Sequence, residues 1–187
     1  AFDVEEGRLD RTERRAEHCA GAPVGIAVQV FDDGLYRERV LANQEALEWF
    51  TRHVLPRVLA RKPEARLVVV GSDPPPRHSL PNLPEAVELR GFVEDVLEPL
   101  GRYAVFVCPI LSGSGVRVKL LEAFAAGIPV VSTSIGAEGL ASDDGEICAI
   151  ADDPAVFADR VIELLNDPQR ADALAARARE QDVAHLM

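Results

Sequence analysis

Residues 103–132 read YAVFVCPILSGSGVRVKLLEAFAAGIPVVS. The apolar run 103–108 is a buried strand, since it shows no polar alternation and is rich in Val and aromatic residues. Pro109 to Gly115 form a turn containing glycine, and 116–126 carry helical spacing. Gly127 falls where a helix takes its C′ glycine, and Pro129 follows at once. Residues 129–132 are again a short apolar strand. The unit is therefore strand, turn, helix, strand. A strand apolar on both faces belongs in a parallel sheet covered by helices on both sides.

The same alternation extends in both directions. Upstream, 24–31 (VGIAVQVF) is a buried strand, ended by Asp32-Asp33-Gly34. Residues 42–61 carry Leu47, Phe50, Val54, Leu55, Val58 and Leu59 on one helical stripe, with Pro56 expected to kink or divide the helix. Residues 66–70 (RLVVV) are the next strand, and SDPPP at 72–76 is a loop. A short strand at 87–89 precedes a helix near 94–100. Downstream, 146–150 reads as a sixth strand. Asp152-Asp153-Pro154 caps a helix running to residue 165, and Asp143-Asp144 reads as a turn. Asp167-Pro168 opens a last helix with Ala171, Leu174, Ala175 and Ala178 on one face. The expected fold is a Rossmann-like, doubly wound parallel sheet over 23–187, with 1–22 as a polar arm or short helix. Such sheets bind ligands at the carboxyl ends of their strands. That directs attention to the loops 32–43, 71–80, 91–94, 109–116 and 133–139.

Composition narrows the function classes. The chain has 187 residues, 48% hydrophobic, and a formal net charge of −11. This suits one domain with a full core and disfavours broad contact with nucleic acid or an anionic membrane. No apolar run approaches the roughly 18 residues of a membrane helix, and the first residues show no signal-peptide pattern, so the expected location is cytoplasmic. Cys19, Cys108 and Cys148 form no metal-binding spacing and read as free thiols, with Cys108 a core residue. The four histidines are scattered and read as surface residues.

Chemistry concentrates at Ser112-Gly113-Ser114-Gly115-Val116-Arg117-Val118-Lys119, ahead of Glu122. Glycines before a helix let backbone N–H groups approach an anion, and the helix N-terminus favours negative charge. Arg117 and Lys119 add formal positive charge, and Glu122 is suited to accept ribose hydroxyls. The pattern suggests a nucleotide or sugar-nucleotide pocket. It lacks the Walker lysine and the third glycine of the dinucleotide fingerprint. The competing reading makes the glycines a tight turn and all three charges solvated.

The block 112–140, SGSGVRVKLLEAFAAGIPVVSTSIGAEGL, resembles the nucleotide-sugar-binding region of retaining family 4 glycosyltransferases of the GT-B fold. Blocks 45–76, 88–110 and 151–168 agree in order, and the likeness runs from about 24 to about 180. It is to the C-terminal, donor-binding half of such enzymes. The resemblance implies sugar transfer from a UDP- or GDP-type donor to an acceptor hydroxyl, without a bound metal or other cofactor. It also implies an N-terminal acceptor-binding domain as partner, absent from this chain. Gly113, Ser114, Gly115 and Val116 would present N–H groups to the diphosphate, and Phe92 and Val93 would receive the base. Glu122 would bind the ribose, and Arg117 and Lys119 would be the catalytic cations. Ser114 stands where the family's paired-glutamate motif has its first glutamate. The loop after the first strand has no lysine, and Arg37 or Arg39 would have to take that role around a segment altered near Ala42-Asn43. Two other readings share this fold: a non-catalytic nucleotide-sugar-binding or scaffold module, and half of a sugar-nucleotide epimerase.

Overall fold

A computed structural model describes residues 25–29, 37–71, 83–90, 103–113 and 117–185. Among these residues six strands form one sheet: β1 (Gly25–Gln29), β2 (Arg66–Val70), β3 (Val87–Arg90), β4 (Val105–Cys108), β5 (Val130–Ser132) and β6 (Ala149–Ile150). Their order is β3-β2-β1-β4-β5-β6 and every pairing is parallel. This is the doubly wound α/β arrangement expected, and its topological switch lies between β1 and β4.

Alternate residues of each strand enter two different cores. Ile26, Val28, Leu67, Val69, Val105 and Val107 pack on one face against the helical segment that follows β1. That segment comprises α1 (Arg37–Trp49), a π-helical turn (Phe50–Val54) and α2 (Leu55–Arg61). The same face takes α4 (Pro154–Asn166), whose Phe157 meets Trp49 and Phe50 edge-on at ring-centroid distances of 5.5 and 5.9 Å. Ala27, Val68, Phe106, Cys108 and Val130 face the other side, against α3 (Val118–Ala126) and Ala178 of α5 (Pro168–His185). Both faces of the strands are thus apolar because both are covered.

Local signals behave as their chemistry requires. Gly127 ends α3 in the left-handed region at φ 68°, where an L side chain is disfavoured. Asp153 caps α4, accepting from the N–H groups of Ala155 (2.8 Å) and Val156 (3.1 Å), with Pro154 in the first turn. Ala171, Leu174, Ala175 and Ala178 are buried. Cys108 and Cys148 are buried free thiols, and His53 is exposed.

Pro56 divides the helical segment as expected, standing at the start of α2. The i→i+5 turn before it absorbs the missing donor, with Leu55 N–H bonding to Phe50 O. Two expectations need correction. The segment 37–43 is helix, since α1 begins at Arg37 and Asn43 lies within it. The loop expected over 32–43, with its disturbance at Ala42-Asn43, therefore ends by residue 37. The strand expected over 146–150 is only Ala149–Ile150, because Gly145 turns at φ 82° and Asp144 takes the Ile150 N–H at 2.9 Å. The arm 1–22, the helix near 94–100, Cys19 and the Asp32-Asp33 pair lie outside the described residues. Among those described, no helix is long and apolar enough to cross a membrane.

Candidate functional site

β1 and β4 lie side by side and send their helices to opposite faces of the sheet. A crevice opens where they part, lined by Val28, Asn43, Ala46, Val107, Cys108, Pro109, Ile110 and Lys119. It combines strand ends, one residue pair from α1 and the first turn of α3.

The turn after β4 supplies the cations. Gly113 has φ 99°, a left-handed value suited to glycine. The Arg117 guanidinium folds back and donates to Gly113 O at 2.9 Å. Arg117 is itself the N-cap of α3, in extended conformation and without a side-chain cap bond, so the sequence reading that put it inside the first turn is corrected by one position. Leu120 N–H closes on Arg117 O at 2.8 Å. This leaves the helix start with a positive dipole end and no acidic residue in its first turn.

Lys119 is not the solvated cation of the competing reading. It is 8% exposed, and its Nζ donates to Asn43 Oδ1 at 2.6 Å. Burial lowers its pKa from the ordinary lysine value. Glu122 acts against that shift and Arg117 acts with it. Glu122 is half-buried on the same helix. Burial pushes the Cys108 thiol up, so it stands in the crevice as a neutral group.

Asn43 was singled out only as part of an altered segment, not as a binding residue. Its signal in the sequence is a polar side chain on a buried stripe: Asn43, Ala46, Leu47 and Phe50 have i, i+3, i+4, i+7 spacing and all are buried. Glu45 was also missed, and it accepts from Ser112 Oγ at 3.2 Å. α1 thus touches both the turn after β4 and the helix that follows it. Arg37 and Arg39 lie in the first turns of α1. Ser114, Gly115, Val116, Phe92 and Val93 lie outside the described residues.

The model of the group 1 glycosyl transferases matches residues 35–167, which include the whole of this crevice except Val28. The chain belongs to that family. Of the relatives, a GDP-mannose-dependent monoacylated alpha-(1-6)-phosphatidylinositol monomannoside mannosyltransferase from Corynebacterium glutamicum is 30% identical over 137 residues, 67% of this chain and 36% of that protein. The chain spans about a third of the length of the curated relatives it matches. The C-terminal domain of a group 1 glycosyl transferase (LpcC) from Francisella tularensis has the same fold, with TM-score 0.67 and 18% identity over 95% of this chain and 93% of that one. HepE from Anabaena, solved with UDP and glucose, superposes with TM-score 0.68 and 15% identity over 95% of this chain and 48% of that one. The fold of this group 1 chain is therefore that of a GT-B glycosyltransferase domain.

Proposed function

We propose that this domain holds the nucleotide-sugar donor of a retaining glycosyltransferase, which moves a sugar from a UDP- or GDP-type donor to an acceptor hydroxyl. The observation that carries the reading is the buried Lys119 Nζ beside a helix start without a side-chain cap, at the sheet's switch point. An anion seated there meets the α3 dipole, the Lys119 charge and the Arg117 guanidinium together. Gly113, Ser114, Gly115 and Val116 would offer backbone N–H groups to the diphosphate. Glu122 would take ribose hydroxyls, and Phe92 and Val93 the base. As the glycosidic bond breaks, negative charge collects on the departing diphosphate, and fixed cations aimed at it lower the barrier. An N-terminal acceptor-binding domain would complete the enzyme, and nothing in this scheme calls on a bound metal.

Calorimetric titration with UDP, GDP and their glucose and mannose conjugates tests this. For residues 1–187 tested by themselves, binding above micromolar Kd is expected, because the proposed acceptor-binding domain would supply the rest of the cleft, and Glu122→Ala should abolish it. A folded domain that binds none of these nucleotides would sink the donor reading. A submicromolar Kd would contradict the requirement for closure.

A further inference from the structure

The Asn43–Lys119 contact joins two helices that pack on opposite faces of the sheet. Both side chains are buried, at 7% and 8% exposure. An ammonium in such surroundings must be hydrogen-bonded or lose its proton. Among the described residues, the titratable and charged groups that face it include the Cys108 thiol from β4, the Arg117 guanidinium ahead of α3 and the Glu122 carboxylate on α3. α1 contributes a neutral amide instead. A carboxylate at that position would satisfy the ammonium and cancel its charge. An amide oxygen accepts the hydrogen bond and leaves the charge in place.

We propose that Asn43 is a positioning residue, whose amide oxygen holds the Lys119 ammonium at the crevice between β1 and β4 and reserves its charge for an anionic ligand. The identity of that anion rests on the donor reading above. The hold on the ammonium does not. Asn43 would touch no reacting atom and would act through Lys119.

The chain contains two lysines, Lys62 and Lys119. Lysine labelled with carbon-13 at Cε therefore gives two resonances, and Lys62, beside Glu64 at 3.8 Å, serves as the internal reference. In Asn43→Leu the Lys119 titration should move to lower pH, and affinity for UDP and for pyrophosphate should fall about tenfold at neutral pH. Part of that loss should be regained on acidification. In Asn43→Asp the titration should move to higher pH, yet affinity should still fall, because the new carboxylate competes with the diphosphate. A merely structural asparagine would let Asn43→Asp bind as the wild type does. Should Asn43→Leu fail to fold, Asn43→Asp carries the test by itself. An unmoved Lys119 titration, or wild-type pyrophosphate affinity in Asn43→Asp, overturns the proposal. Wild-type protein that binds pyrophosphate but neither UDP nor GDP overturns the nucleotide-donor reading, while a shifted Lys119 titration still supports the role of Asn43.

Discussion

The turns that follow β4 and β5 leave adjacent strand ends, and their described residues differ in what they carry: polar bonds to the protein after β5, cations at a helix start after β4. The turn after β5 is stitched to its neighbours. Ser132 Oγ and Thr133 N–H both donate to Cys108 O, at 3.2 and 3.3 Å. Thr133 Oγ1 donates to Ile110 O and accepts from Gly136 N–H. Asp152 takes both the N–H and the Oγ of Ser134 at 2.8 Å. In the turn after β4 the described residues have Ile110 O accepting from Thr133, Ser112 donating to Glu45 and Gly113 O accepting from Arg117, and the two cations stand at the start of the helix that follows. A turn that spends its polar groups on the protein contributes stability. On the proposed function, the turn with charge beside a helix start is the one that receives the ligand. Changes in the first should be read in melting temperature, and changes in the second in ligand affinity.

The sharpest way to break this contrast is Gly136→Ala. A Cβ there would lie 2.4 Å from Ser132 Oγ and 2.7 Å from the Cys108 carbonyl oxygen, so the stitched turn has to move. We expect a loss of about 3 kcal/mol, or roughly 6–12 °C in Tm, by differential scanning calorimetry. Lys119→Met should do the reverse. Affinity for UDP should fall about 30-fold, near 2 kcal/mol, while stability changes by less than about 1 kcal/mol, because the cost of burying the ammonium disappears with it. Asp152→Ala should cost about 1–1.5 kcal/mol in urea unfolding and leave nucleotide affinity within about twofold.

The smallest effect is on pH. Burial places the folded Lys119 pKa below its unfolded value. Between the two values the unfolded chain binds more protons, so this group's contribution makes stability rise with pH. Diphosphate binding runs the other way, since it needs the ammonium, and affinity should weaken a few-fold as pH climbs through the folded value. A titration series below the ordinary lysine value shows whether the two trends diverge. Parallel trends would remove the distinction between the turns.

Most of the fold was legible because its signals are local. Apolar strands without alternation, Gly127, Asp153 with Pro154, and the alanine-rich face of α5 each declare themselves within a few residues. The failures have local causes as well. The start of α1 has a polar sequence, Arg37-Glu38-Arg39, with no apolar stripe to mark it. The π turn before Pro56 is a backbone adjustment that spacing does not encode. Asp152 and Asp153 are adjacent and chemically identical, but one ties a loop and the other caps a helix, and only their neighbours in space distinguish them. The site was half legible. The glycine turn and its cations stand out in the chain, whereas Asn43 lies 76 residues from the lysine it holds. Beyond the altered segment at Ala42-Asn43, its sequence trace is a polar residue on a buried helical stripe, which looks like an imperfection until the partner is known.

The central claim is that the turn after β4, and not its stitched neighbour after β5, receives a diphosphate. Amide chemical-shift mapping with pyrophosphate and then UDP tests it most directly. The account predicts that the largest saturable shifts fall on residues 113–122, with residues 133–141 moving little. Shifts centred on 133–141, or none on either turn at millimolar ligand, would contradict it.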